Sequence, residues 1–135
     1  MLAGTSTDTF AKTKMTIICN NAGGYSVTAT ATALTNVTAA EDIAVNTAYG
    51  TSTDNYATSA YNLKTINVST GVTGATGPQA PTTEGIIAKK TSVTADNGDS
   101  VEVIYGMGIK SAQKSATYAG TVTYKLYKGV NPTLN

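Results

Sequence analysis

The nine residues "YSVTATATA", Tyr25 to Ala33, alternate without a break between an apolar side chain and one that carries a hydroxyl. A repeat of two places successive side chains on opposite faces of a β-strand, whereas a helix repeats every three to four residues. The predicted inward face carries Tyr25, Val27, Ala29, Ala31 and Ala33. The predicted outward face carries Ser26, Thr28, Thr30 and Thr32. This segment is therefore predicted to be a strand with one buried face and one solvent-exposed face.

The composition extends this prediction to the whole chain of 135 residues. Threonine (26 residues) and alanine (19 residues) are abundant, while charged residues make up only 13%, about half the share of an ordinary soluble domain. Threonine favours strands, and its hydroxyl keeps a strand face wet without adding charge. The length fits a single domain over residues 1–135. We predict an all-β fold, an antiparallel two-sheet β-sandwich of the Ig-like kind with about six to eight strands.

Two hairpins and a final strand are predicted within this domain. The first hairpin joins "KMTIICNN" to "YSVTATATA" through "AGGY", with Met15, Ile17 and Cys19 on the inward face of its first strand. The second joins "GIIAKKTSVTA" to "SVEVIYGMGIK" through "DNGD", where Asn97-Gly98 suits a two-residue type I′ turn. The last strand, "TYAGTVTYKLYK", is predicted to bury a row of alternate residues. That row is Tyr118, Gly120, Val122, Tyr124 and Leu126.

The remaining segments are predicted from their composition. Residues 1–9 read as a polar lead-in, and residues 129–135 read as a tail. Residues 70–85, rich in Gly, Thr and Pro, are predicted to form a long exposed loop. For residues 34–60 the pattern leaves open a short helical turn or a strand with a loop.

Charge and hydropathy exclude two kinds of partner. The net charge is +1, and no basic cluster exceeds the pair Lys89-Lys90, so nucleic acid is not an expected partner. No apolar run approaches the roughly 18 residues that cross a bilayer, so no membrane segment is expected. The start "MLAGTSTDTF" lacks the basic and apolar regions of a signal peptide. We expect the chain to be an excised domain or a mature fragment.

The residue types limit catalysis. The chain has no histidine, which excludes Ser-His-Asp and Cys-His mechanisms. Cys19 is the single cysteine, and it is expected to be a buried, inert thiol or else a thiol that joins two chains. Most of the eight carboxylates fall in predicted turns, where solvation is their usual role, and "DNGD" offers too few ligands for calcium. We therefore predict no enzyme activity, no cofactor, and no catalytic or metal-binding residues.

Both ends of the chain resemble a known group of domains. "DTFAKTKMTIICNNAGGYSVTATA" and "VIYGMGIKSAQKSATYAGTVTYKLY" are similar to β-sandwich domains in secreted and wall-associated proteins of Gram-positive-type and candidate-phylum bacteria. WxL-type wall-binding domains are distantly similar. The chain departs from the pattern at Ala116, where Gly is usual, and it has no Trp, which argues against WxL-type wall binding. The resemblance implies an extracellular β-sandwich at the cell surface, with no catalytic residues.

Two functions from different classes fit these observations. The first is a structural or adhesive module of a bacterial surface protein, or a pilin-like subunit of a surface filament. Such a module could self-associate by strand addition or bind a glycan or protein of a host or cell surface, with Met107 in "GMG" as a candidate assembly residue. The alternative is a carbohydrate-binding module with exposed tyrosines. Its candidate ligand residues are Tyr49, Tyr56, Tyr61 and Tyr127.

Overall fold

Ten strands in two sheets make up the computed structural model, which describes residues 8–46, 59–110 and 112–130. In chain order they are β1 (Asp8–Ile17), β2 (Tyr25–Ala31), β3 (Leu34–Asn36), β4 (Glu41–Val45), β5 (Ala60–Val68), β6 (Thr73–Gly74), β7 (Pro78–Gln79), β8 (Gly85–Lys90), β9 (Asp99–Gly108) and β10 (Val122–Lys128). The described residues contain no helix. The predicted all-β sandwich is confirmed.

The order of the strands differs from a series of hairpins. The first sheet runs β1-β9-β5-β4-β3, with β7 also paired to β5, and the second runs β10-β2-β8-β6. All pairs are antiparallel except β4 with β5. Strands β1 and β2 lie in different sheets, and so do β8 and β9. Both predicted hairpins are therefore wrong, because each of these two connections crosses from one sheet to the other.

The Asn97-Gly98 pair makes a different turn from the one predicted. A type I′ turn needs a positive φ at both central residues. Gly98 has a φ of 80°, but Ala40 is the only non-glycine residue in the described part of the chain with a positive φ. The amide of Gly98 donates instead to the carbonyl of Ala95 at 2.8 Å. A Cβ at Gly98 would lie 2.9 Å from the carbonyl oxygen of Ile17, so glycine allows the end of β1 to approach this turn.

The core lies between the sheets and is built in part by the predicted inward row of β2. Tyr25, Val27 and Ala29 of β2 are buried against Val101 and Val103 of β9. The prediction of an outward wet face on β2 is wrong for two residues, which are also completely buried. They are Ser26 and Thr28. Their hydroxyls donate to groups that cover this outer face, the carbonyl of Gly129 and the carboxylate of Glu84.

The segments without a clear pattern contain short strands. Within residues 34–46 the structure has β3 and β4, so the helical alternative is not adopted. Residues 70–85, predicted as one exposed loop, include β6 and β7 and bury Val72. Strand β1 begins at Asp8, inside the predicted lead-in. Residues 47–58 and 131–135 lie outside the described part of the chain.

Gly24, between β1 and β2, should tolerate no side chain. Its φ is 73°, and a Cβ would lie 1.9 Å from the carbonyl oxygen of Lys90. We expect Gly24→Ala to lower the free energy of unfolding in urea by at least about 3 kcal/mol, since backbone must move to relieve the clash. The matched variant Gly77→Ala has a φ of 97° but no atom within 4 Å, and should lose only about 1–2 kcal/mol. Equal losses would contradict the crowding at Gly24.

Candidate functional site

A polar cluster joins the two sheets at one end of the sandwich. The ammonium of Lys90, in β8, lies 3.0 Å from both carboxylate oxygens of Asp99, in β9. The hydroxyl of Tyr25, in β2, donates to Oδ2 of Asp99 at 3.1 Å. The side chains of Lys90 and Asp99 are only 11% and 3% exposed. Burial, and then the acceptor Asp99, raise the pKa of Tyr25. This cluster ties the sheets together, and the prediction that Asp99 is a solvated turn residue is wrong.

A second polar cluster lies on the outer face of the second sheet. Glu84 precedes β8, and its Oε1 accepts hydrogen bonds of 2.6 Å from the hydroxyls of Thr28 and Tyr127. Its Oε2 accepts from the ammonium of Lys125 at 2.8 Å. The bond from Lys125, followed by those from Thr28 and Tyr127, lowers the pKa of Glu84 to about 2. The carboxylate therefore joins β2, β10 and the start of β8 as an acceptor that is charged at neutral pH.

The structure describes two of the tyrosines predicted to bind a ligand, Tyr61 and Tyr127, and it does not bring these two together. Tyr61 is only 3% exposed, and its hydroxyl donates to the carbonyl of Thr32, so its ring is part of the core rather than of a surface. Tyr127 is half-buried, with its hydroxyl engaged by Glu84. Tyr49 and Tyr56 lie outside the described residues. Burial of Tyr61 follows from its place on β5, a strand with neighbours on both sides.

Met107 lies beside a cavity at the far end of the first sheet. The cavity has a volume of about 460 Å³. Its apolar walls come from Leu34, Ile43, Met107 and Ile109. Its polar walls include Gln113, whose amide donates to the hydroxyl of Tyr118 at 2.7 Å and accepts from Ser59. Lys114 and Ser115 also line the recess, so it offers both apolar and polar contact.

The first and last strands form an open side of the sandwich, defined here as β1 and β10. Each ends the order of its sheet, with β1 paired to β9 and β10 paired to β2 among the described strands. The hydroxyl of Tyr105, on β9, contacts those of Thr13 on β1 and Tyr124 on β10, which places both edges on the same side. Leu126 shares the inward row of β10, yet it is 55% exposed. The predicted burial of Leu126 is wrong because no described strand covers this edge.

The free backbone groups of β10 can be assigned from its ladder with β2. The amide of Thr32 donates to the carbonyl of Thr121, and the amide of Gly129 donates to that of Gly24, at 3.0 and 2.8 Å. In an antiparallel ladder, bonding alternates from residue to residue. The residues between these anchors that bond toward β2 are Thr123, Lys125 and Tyr127. The residues that direct their backbone groups to the edge that no described strand covers are Val122, Tyr124, Leu126 and Lys128.

Other chemistry in the described residues is limited. They contain no group of three or more His, Cys, Asp or Glu side chains that could hold a metal ion. Cys19 is partly buried against the core, and its thiol lies 3.4 Å from the carbonyl of Gly24. None of the described segments forms a helix that could cross a membrane.

Comparison with known proteins gives no family for this chain, so the chain is classed by its fold alone. No family model matches the sequence, and no curated protein and no solved structure is significantly similar to it. The chain is a two-sheet β-sandwich.

Removing the charge of Asp99 should be costly because Lys90 would then be buried without its counter-charge. We expect Asp99→Asn to lower the free energy of unfolding by about 3 kcal/mol. Asp96→Asn, in the exposed turn before β9, is the matched control and should change it by less than about 0.5 kcal/mol. Urea denaturation of both variants tests this. Similar values for the two would show that the cluster does not stabilise the fold.

Glu84 should contribute stability that depends on pH. Its pKa is lowered in the folded state from an ordinary 4.5 to about 2. The contribution is therefore complete above about pH 4.5 and is lost as the pH falls toward 2, because protonation removes the charged acceptor. Thermal denaturation at pH 7, 4.5, 3 and 2 should show a smaller acid-induced loss of stability for Glu84→Gln than for the wild type. Identical profiles would contradict this role of Glu84.

Proposed function

We propose that this chain is a non-catalytic structural or adhesive module of a bacterial cell-surface protein or surface filament. The observation that carries the proposal is the open side of the sandwich. There, β10 directs the backbone groups of Val122, Tyr124 and Leu126 away from its sheet, and an apolar side chain of its inward row remains exposed. A free strand edge of this kind can bind another chain by strand addition.

The polar residues support a structural role. Asp99 and Glu84 are the carboxylates held by several donors, and in both cases the donors belong to neighbouring strands of the same domain. Their oxygens are thus used to join sheets and strands. The hydroxyl-rich strands and low charge suit a domain that presents a neutral, wet surface outside the cell. The resemblance of both chain ends to bacterial surface domains supports the same location.

The surface location is tested on cells that produce the protein. Brief protease treatment of intact cells should release peptides of this chain, detected by mass spectrometry, before any ribosomal peptide appears. A strain that lacks the protein should also show weaker cell aggregation or adhesion, restored by the intact gene. Recovery of the peptides only after lysis, or unchanged aggregation and adhesion in the deleted strain, would contradict the proposed function.

A further inference from the structure

We propose that the free edge of β10 pairs with β10 of a second copy of this chain, antiparallel and centred on Tyr124. This inference rests on the proposed role of the open side and names its partner. The two copies would be related by a two-fold axis, and their second sheets would join into one continuous sheet. Such a contact uses the same surface on both copies and closes with two copies.

The register follows from which backbone groups are free. Because Val122, Tyr124, Leu126 and Lys128 direct their amides and carbonyls to the open edge, the hydrogen-bonded positions of any added antiparallel strand must come from this set. Centring on Tyr124 pairs it with Tyr124 of the second copy, and pairs Val122 with Leu126 of the second copy. Every free backbone group of Val122, Tyr124 and Leu126 then has a partner. The other register of the same parity would also pair Lys128, with Val122 of the second copy, but it would place Lys125 directly opposite Lys125 of the second copy. Like charges directly opposite one another destabilise a strand pair, so the register centred on Tyr124 is favoured.

The side chains are complementary in the same register. Val122 and Leu126 of the second copy are both apolar and belong to the inward row, so the exposed surface of Leu126 would be covered. On the outer face, Thr123 would oppose Lys125 of the second copy. Each lysine therefore meets a hydroxyl across the two-fold axis, and no lysine meets another lysine directly. Cross-strand pairs of this kind are the unit of sheet stabilisation.

Charge distinguishes β10 from the other edge of the open side. Lys12 and Lys14 on β1 are exposed, and the ion pairs among the described residues include neither of them. Lysines on an edge strand oppose edge-to-edge pairing, so β1 is protected against a second copy. On β10, the charge of Lys125 is neutralised by Glu84 at 2.8 Å. Lys128, which ends β10, is exposed and belongs to neither ion pair, but in this register it opposes Gly120 of the second copy. The β10 edge can therefore approach its own copy with less repulsion.

A matched pair of variants at Thr123 tests the register. Thr123 is exposed, and either substitution acts twice in the dimer, each time beside Lys125 of the second copy. By sedimentation equilibrium on the full chain, Thr123→Lys should raise the dimer dissociation constant about fivefold, and Thr123→Glu should lower it about fivefold. Equal effects of the two variants would overturn this register.

Variants at Leu126 test the edge itself. Leu126→Pro removes an amide that points away from β2, so the sheet should persist, as checked by circular dichroism and thermal denaturation, while dimerisation is lost. Leu126→Thr keeps the amide and should only weaken the dimer. If Leu126→Pro still dimerises, or the wild type sediments as a monomer at all concentrations, β10 self-pairing is overturned. Filaments in electron microscopy would also overturn it. Protease treatment of cells tests the proposed function separately from all these outcomes.

Discussion

The contacts of Asp99 with Lys90 and Tyr25 are the constraint on which the rest of the sandwich depends. Lys90 ends β8 and Asp99 begins β9, so the ion pair closes the turn that carries the chain from the second sheet to the first. Tyr25 lies at the start of β2, just after the chain has passed from the first sheet to the second. Its hydrogen bond to Asp99 holds this connection at the same place. Two connections between the sheets are thus fixed at one end of the molecule. The close approach of Gly24 to the carbonyl of Lys90 belongs to the same arrangement.

The sequence predicts the strands well and their partners poorly, for one physical reason. Alternation reports which side chains share a face, and Tyr25, Val27, Ala29 and Ala31 of the predicted inward row of β2 are buried. It does not report which sheet a strand joins, because a turn within a sheet and a turn between sheets use the same Gly and Asn residues. The burial of Thr28 could not be predicted either, since Glu84, which covers it, lies 56 positions further along the chain.

The same reason explains which candidate site residues the sequence could identify. Tyr61 is predicted as an exposed ligand residue, but β5 is an interior strand of its sheet and places the ring in the core. Leu126 has the spacing of a core residue, but β10 is an edge strand. In each case the exposure of a side chain depends on the order of strands, which is set by contacts far apart in sequence. Only the exclusion of histidine-dependent catalysis is independent of the order of strands, because the chain has no histidine.

Glu84 connects the stability of the second sheet with the chemistry of its edge. Its carboxylate makes burial of the Thr28 hydroxyl acceptable by accepting its hydrogen bond, and the same carboxylate neutralises Lys125 on the outermost strand. On the first sheet, by contrast, β1 keeps exposed lysines that repel a second strand edge. The two edges of one open side therefore differ in charge although both leave backbone groups free. Glu84 balances the charge of Lys125 within the second sheet and leaves Lys128 as the lysine of β10 outside the described ion pairs, whereas both Lys12 and Lys14 of β1 lie outside them.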